Sequence, residues 1–158
     1  MKISVRISAL ILALLSVMML FACDGGTSAK TVDIGAVKEQ IISELDITDA
    51  MDLQSDRLLN LYGIETADIK LSASFVTMGG VFPDEVVMVE AVDSAAADRV
   101  EEKLGARLDE VLVQAQSYSP EDYAVAKECQ VQRVGNTVAV FISKDHAEME
   151  NIFNAGAK

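Results

Sequence analysis

The pattern that most restricts the fold is a pair of segments, 85–92 and 137–143, that are apolar on both faces. Each follows a segment in which apolar and polar residues alternate, 68–76 in the first case and 128–132 in the second. An alternating segment predicts a half-exposed strand, and a continuous apolar run predicts a strand buried on both faces. Both pairs precede a helical pattern, so the sequence predicts a β-β-α unit that occurs twice.

The two helices of this repeat differ in length. The first is predicted over 94–116 with Ser94 as its N-cap, and the second begins at Asp145, where Glu148 matches the spacing of a capping box. Gly105 lies inside the long helix, where glycine costs up to about 1 kcal/mol relative to alanine, and close packing is the expected reason for it. The inner faces are Val100, Leu104, Leu108, Val111, Leu112 and Ala115 in the first helix and Met149, Ile152 and Phe153 in the second.

Two further helices are predicted before the repeat. Asp33 is a candidate N-cap for a helix over 33–45, whose stripe is Ile34, Val37, Ile41 and Leu45. A second helix over 53–62 ends at Gly63, which suits the left-handed C′ position. The predicted fold class is therefore α+β: two N-terminal helices, then β-β-α-β-β-α, with a four-stranded, mostly antiparallel sheet and helices packed mainly on one face.

The strand patterns also predict positions within the sheet. The second strand of each hairpin should be central, with Lys70 and Gln132 at exposed positions near the edges. Gly135-Asn136 predicts a two-residue hairpin turn with glycine first. The face opposite the long helix should carry an apolar patch, which is either covered by the N-terminal helices or open as a binding groove or dimer surface. That patch consists of Val86, Met88, Ala139 and Phe141.

The first 23 residues have the architecture of a secretory signal. Basic Lys2 and Arg6 precede an apolar core over 7–21, and Ala22 stands directly before Cys23. The apolar run is short for a membrane span, which needs roughly 20 residues. This start resembles that of bacterial lipoproteins, in which the cysteine thiol receives a diacylglycerol and becomes the mature N-terminus.

The predicted organisation is a signal peptide over 1–22, cleaved between Ala22 and Cys23, a lipidated flexible tether over 23–32 and one domain over 33–158. Phe21 is bulkier than the residue usual there, which leaves a plain cleaved signal or a short anchor helix as alternatives. The predicted location is the cell membrane, lipid-anchored and facing the extracytoplasmic side.

Charge and composition exclude several classes of function. Without residues 1–22 the chain has 11 basic and 25 acidic side chains, a net charge of −14. Nucleic acid is excluded as a partner because its binding depends on lysine and arginine, whereas cationic partners are favoured. With Cys23 assigned to lipid, Cys129 has no partner for a disulfide, and His146 is the only histidine, so a His/Cys zinc site is excluded. No cofactor is predicted.

Four aspartates recur at steps of three, three and four, and on a helix they would lie along one side. They are Asp46, Asp49, Asp52 and Asp56. A calcium ion takes six to eight oxygen ligands, so this spacing makes the four a weak calcium candidate. The other interpretation is that they cap and solvate a connection between helices.

No catalytic set is evident from the remaining residues. A Ser-His-Asp triad would need His146, which is expected at the surface of the last helix. Cys129 is expected to be a small core residue rather than a reactive thiol, and Tyr62 is expected to pack at a helix end. Gly79-Gly80 lacks the lysine of a phosphate-binding loop and is expected in a hairpin turn.

Several short phrases, in this order, resemble one family. They are Leu61-Tyr62-Gly63-Ile64, the strand Glu85-Val86-Val87-Met88-Val89-Glu90-Ala91, the helix start Asp93-Ser94-Ala95-Ala96-Ala97, and Val134-Gly135-Asn136-Thr137-Val138. Together with the N-terminus, the chain resembles the small bacterial lipoproteins that carry the domain of unknown function 4358. The resemblance implies an exported, membrane-anchored domain with no assigned activity and no established functional residues.

The favoured hypothesis is a non-enzymatic binding or accessory module of the cell envelope, with an envelope or membrane protein as its partner. The alternatives are a carboxylate-dependent hydrolase or metal-dependent enzyme, and a module that binds a small ligand for a transporter. A deep pocket lined by two or more acidic side chains would favour the enzyme, whereas a shallow apolar surface would favour a protein partner.

Overall fold

The computed structural model describes residues 30–79 and 82–158. This part of the chain contains five α-helices and six β-strands, with a 3₁₀ turn over Thr66–Asp68. In chain order they are α1 Ile34–Glu44, β1 Ala50–Asp52, α2 Ser55–Tyr62, β2 Ile69–Ser72, β3 Phe75–Thr77, β4 Glu85–Ala91, α3 Ser94–Tyr118, α4 Pro120–Ala126, β5 Val131–Val134, β6 Thr137–Ile142 and α5 His146–Ala155.

The sheet is antiparallel and has the strand order β1-β3-β4-β6-β5, with β2 also paired to β4. Strands β4 and β6 are central, as predicted, and pair from Glu85 opposite Ile142 to Glu90 opposite Thr137. The expected number of four strands is wrong. The predicted strand over 68–76 is divided into β2 and β3, and β1 adds an edge strand in the segment expected to connect two helices.

The division between β2 and β3 has a local cause at Ser74. Its Oγ accepts a hydrogen bond from the Met88 N–H at 3.0 Å and donates to the Met88 carbonyl at 3.2 Å. The Ser74 hydroxyl thus forms hydrogen bonds with the backbone groups of Met88 on β4 at the break between β2 and β3. The pairing with β4 also shifts between Ile69 and Leu71, and a one-residue shift exchanges the faces of a strand. The predicted alternation therefore fails here: Leu71 is 49% exposed and Ser74 only 2%.

Helices cover both faces of the sheet, so the expectation of helices mainly on one face is wrong. On one face, α2, α3 and α4 pack against residues of β4 and β6 that alternate in the chain. On the other face, α1 and α5 pack against the intervening residues. The first set is Val87, Val89, Ala91, Val138, Val140 and Ile142, and the second is Val86, Met88, Ala139 and Phe141.

Of the two alternatives for the apolar patch, the structure has the covered one, although α5 rather than the second N-terminal helix joins α1 in covering it. Val86, Met88, Ala139 and Phe141 are each 0% exposed. Helix α1 covers them together with α5, from which Phe153 packs edge-on against Phe141 with ring centroids 5.8 Å apart. These four residues form the second half of the core rather than a binding groove or dimer surface.

Of four predicted helix boundaries, two have the expected chemistry and two do not. The Asp33 carboxylate accepts from the Ala36 N–H at 3.1 Å, and Gly63 ends α2 in the left-handed conformation with φ +67°. Asp93 rather than Ser94 caps α3, because its carboxylate accepts from the Ala96 N–H at 2.8 Å. The capping box at Asp145 is wrong, since that carboxylate makes no bond to the helix end.

The two ends of the domain are joined to each other. The Thr31 N–H donates to the Lys158 carbonyl at 3.2 Å, and the Lys158 N–H donates to the Thr31 carbonyl at 3.0 Å. Between these bonds, Val32 is buried with α1 and α5 and forms an antiparallel bridge with Ala157. The chain therefore enters the domain on the α1/α5 side of the sheet.

Candidate functional site

The four aspartates of the calcium hypothesis lie in different local settings, and two of them have partners of their own. Asp49 accepts from the Met78 N–H at 3.1 Å, and Asp52 forms an ion pair with Lys38 at 2.5 Å. Asp56 lies in the first turn of α2 and Asp46 just beyond α1. Asp52 is the last residue of β1, which lies between Asp49 and Asp56 in the chain. Within residues 30–79 and 82–158 no group of three or more His, Cys, Asp or Glu side chains is placed to hold a metal. The predicted calcium site is not assembled.

His146 is not the surface residue that was expected, because its side chain is only 13% exposed. Its Nδ1 lies 3.4 Å from Glu150 Oε1, and its Nε2 lies 3.8 Å from Glu128 Oε2. Both ring nitrogens face carboxylates, and no serine hydroxyl of the described chain lies within hydrogen-bonding distance of the ring. The geometry gives no support to a Ser-His-Asp triad.

Cys129 lies in the core beneath α4. Its Sγ is 3.4 Å from the Val125 carbonyl and 4.0 Å from the Ser143 carbonyl. Burial raises the pKa of the thiol, and this favours the unreactive protonated form. The prediction of a core residue is confirmed here, whereas Ala22 and Cys23 lie outside the described residues.

A cleft of about 410 Å³ lies between the second half of α3, the segment before β4 and the start of α4. Helix α3 contributes residues at helical spacing, so that one stripe of the helix forms a wall. The apolar floor includes Val111 and Ala115, which the sequence placed on the inner face of this helix. The other lining residues used below are Phe82, Glu85, Arg107, Gln114, Tyr118 and Asp122.

One end of the cleft is lined by Glu85 and Arg107, and Tyr62 contacts both of them from a third element. Glu85 begins β4 and accepts from Arg107 Nε at 3.0 Å and from Arg107 Nη2 at 2.5 Å. Tyr62, at the end of α2, donates its hydroxyl to the same carboxylate at 3.0 Å. The Arg107 guanidinium carbon also lies 5.8 Å from the centre of the Tyr62 ring. This cluster of Tyr62, Glu85 and Arg107 is called the Glu85 cluster below.

The Glu85 cluster is electrostatically satisfied. Hydrogen bonds to Glu85 raise the pKa of Arg107, so the guanidinium stays charged. Burial, followed by the neighbouring Glu85 charge, raises the pKa of Tyr62, so the phenol stays protonated and keeps donating. Because Glu85 accepts three hydrogen bonds, its carboxylate is not free to act as a general base.

The opposite end of the cleft carries Asp122, in the first turn of α4. Its backbone N–H donates to the Ser119 hydroxyl at 3.2 Å, the bond that caps this helix. Its carboxylate has no hydrogen bond or ion pair with any other described residue. The cleft therefore has one end at which Glu85 is paired with Arg107 and an opposite end with one unpaired carboxylate.

Two other arginines form ion pairs between α3 and neighbouring elements, the 3₁₀ turn in one case and β5 in the other. Arg99 donates to the Asp68 carboxylate at 3.0 and 2.5 Å, and these bonds lower the pKa of Asp68. Arg133, on β5, contacts Asp98 at 2.6 Å and Glu101 at 2.7 Å. Neither Glu101 nor Arg107 was among the site candidates predicted from the sequence. The eight-residue spacing of Arg99 and Arg107 on one helix face was the available signal.

Comparison with known proteins assigns the chain to a family through its sequence. Over the part of the chain that the structure describes, none of the helices combines the length and apolar character that crossing a bilayer requires. No curated protein and no solved structure matches the chain. A family model described as a domain of unknown function, DUF4358, matches residues 43–143, from the end of α1 to just beyond β6, and includes the whole cleft. The chain therefore belongs to the DUF4358 family.

Proposed function

We propose that this protein is a lipid-anchored extracytoplasmic module that binds a partner through the cleft beside α3, and that it is not an enzyme. The cleft is the observation that carries this proposal. It offers an apolar floor with a few fixed polar groups, which is the usual composition of a binding site.

Binding is favoured over catalysis because the polar side chains of the Glu85 cluster are already paired with one another. Glu85 and Arg107 neutralise each other, and the Tyr62 hydroxyl is committed to Glu85. Neither Cys129 nor His146 lines the cleft. General acid–base chemistry needs a group that is free to exchange a proton with a bound substrate. In the cleft Glu85 and Arg107 are held in place, and Asp122 is the one unpaired carboxylate, without a second free acid beside it among the lining residues, which suits recognition.

The sequence over 20–23, which ends in Ala22-Cys23, supports a lipid anchor. Cleavage before Cys23 would leave a cysteine whose thiol accepts the lipid. Burial of each acyl CH₂ contributes about 0.8 kcal/mol, so two or more chains hold a protein stably on a membrane. The acidic domain is repelled by anionic headgroups, and the anchor would supply the attachment that its surface does not.

The anchor is tested by Cys23→Ser in the native host. We expect the variant to lose the mass of the lipid and to move from the membrane to the soluble fraction. Cys129→Ser is the matched control, because it makes the same chemical change at a core position, and it should remain in the membrane. Unchanged mass and membrane retention of Cys23→Ser would disprove lipidation.

The binding role is tested by site-specific photocrosslinking in intact cells. A photoreactive phenylalanine analogue replaces Tyr118, which lines the cleft and is 89% exposed. The control places the same analogue at Val113, which is exposed on α3 but does not line the cleft. We expect a defined product from position 118 alone. Identical products from both positions, or none from either, would contradict binding in the cleft.

A further inference from the structure

We infer that the partner presents an extended peptide segment with a lysine side chain, and that the lysine ammonium binds at the Asp122 end of the cleft. This inference rests on the proposed function, because it names the chemistry of the ligand for the same cleft.

The charge of the cleft selects a cation. Glu85 and Arg107 form an ion pair at one end, so the carboxylate of Asp122 is the uncompensated charge among the lining residues. Glu110, which also contacts Arg107 at 3.3 Å, adds a second negative charge near the paired end. Because the whole chain is acidic, its long-range field also attracts cationic segments toward the surface.

The apolar floor selects lysine among cationic groups. A lysine side chain can lie with its four methylene groups on apolar surface and keep its ammonium in water or on a carboxylate. Val111 and Ala115 on α3 and the half-buried Phe82 supply that surface. Tyr118, the last residue of α3 and four residues before Asp122, has an exposed ring that lines the same cleft and can form a cation–π contact with an ammonium.

The length of the cleft favours a peptide over a small free amine. The stripe of α3 that lines it runs from Arg107 to Tyr118, roughly 16 Å at a rise of 1.5 Å per residue. An extended peptide rises about 3.3 Å per residue, so about five residues span this distance. The amide of Gln114 lies on the exposed edge of the stripe, where it can pair with a peptide backbone.

The path of the chain favours a partner outside the bilayer. The N-terminal segment enters the domain at Val32, which is packed with α1 and α5. The cleft lies on the other side of the sheet, beside α3 and α4. If the domain is anchored through residue 23, its attachment point thus lies on the face of the sheet opposite the cleft. The negative charge at Asp122 also repels anionic headgroups.

The test is isothermal titration calorimetry on the full chain, purified in a non-ionic detergent, with the blocked peptide Gly-Ala-Lys-Ala-Gly as the probe. A second probe replaces the lysine by norleucine, which keeps the apolar stem and removes the charge. We expect the lysine peptide to bind at least fivefold more tightly. Asp122→Asn should weaken its binding about three- to fivefold, as for one partly exposed ion pair.

A matched pair of charge variants locates the site. Gln114→Lys adds a positive charge inside the cleft and should weaken the lysine peptide about fivefold or more. Gln116→Lys makes the same change on the same helix, at an exposed residue outside the cleft, and should change the affinity less than about twofold. Equal effects of the two variants would mean general charge attraction and would overturn the inference.

Two further outcomes would also overturn it. Equal binding of the norleucine probe would leave only an apolar groove, and displacement of the peptide by an equal concentration of spermidine would point to a free polyamine. None of these titrations depends on lipidation. Loss of peptide specificity with normal membrane retention therefore refutes this inference alone, whereas unchanged mass together with membrane retention of Cys23→Ser refutes only the anchor.

Discussion

Replacing Gly105 by alanine should stabilise the domain. Gly105 lies in the interior of α3, its φ is not positive, and a Cβ built on it meets no heavy atom within 4 Å. The expectation from sequence that close packing requires glycine here is therefore wrong. Nothing in the described structure opposes a methyl group at this position.

The magnitude follows from the helix interior and the open space. Glycine is about 0.8–1.0 kcal/mol less favourable than alanine inside a helix, mainly because the unfolded chain loses more freedom when it folds. No steric term offsets this at Gly105, so the unfolding free energy should rise by about 0.8 kcal/mol. For a domain of this size the midpoint of thermal unfolding should rise by roughly 3 °C. Urea unfolding followed by circular dichroism measures the change, with the m-value unchanged.

Two other glycines make matched controls because the same substitution should have the opposite sign. At Gly63 the added Cβ would have room, 3.7 Å from the nearest atom of Lys103, but φ is +67° and alanine should cost about 1 kcal/mol. At Gly156 the Cβ would lie 2.9 Å from Val37 Cγ2, and the overlap should also destabilise. If Gly105→Ala is neutral or destabilising while Gly63→Ala behaves as expected, the argument from open space at α3 is refuted.

Two further predictions concern buried groups. In the Cys23→Ser chain, Cys129 should react with a thiol reagent at least about 100-fold more slowly in the native state than in urea, because burial raises its pKa and blocks access. Equal rates would show that the thiol is accessible. Glu85→Gln should lower the unfolding free energy by about 2 kcal/mol, because Arg107 loses a charged partner at a site where it is only 24% exposed. Glu110 also pairs with Arg107 but is 64% exposed, so Glu110→Gln should lower the unfolding free energy by less than about 0.5 kcal/mol. Equal losses for the two variants would place the stabilisation outside the Glu85 cluster.

The sequence by itself determined the features that depend on a few neighbouring residues. The stripe of α3, the left-handed Gly63 and the hairpin turn at Gly135 were all predicted and are confirmed, as are the central strands β4 and β6. Helical spacing, glycine at positive φ and apolar runs act over one or two turns of chain, so they can be recognised in the sequence. The signal and anchor at Cys23 remain predictions from the same kind of local pattern.

Only the tertiary structure decided the rest, because those features depend on residues that are distant in the chain. Strand β1 has a weak local pattern and exists because β3 offers it a free edge. Burial of both sheet faces followed from where α1 and α5 pack, and it decided between the two alternatives for the apolar patch, which is core rather than an open surface. The cleft is the clearest case: Tyr62, Glu85 and Arg107 come from three elements, and their shared hydrogen bonds form only after the sheet brings those elements together.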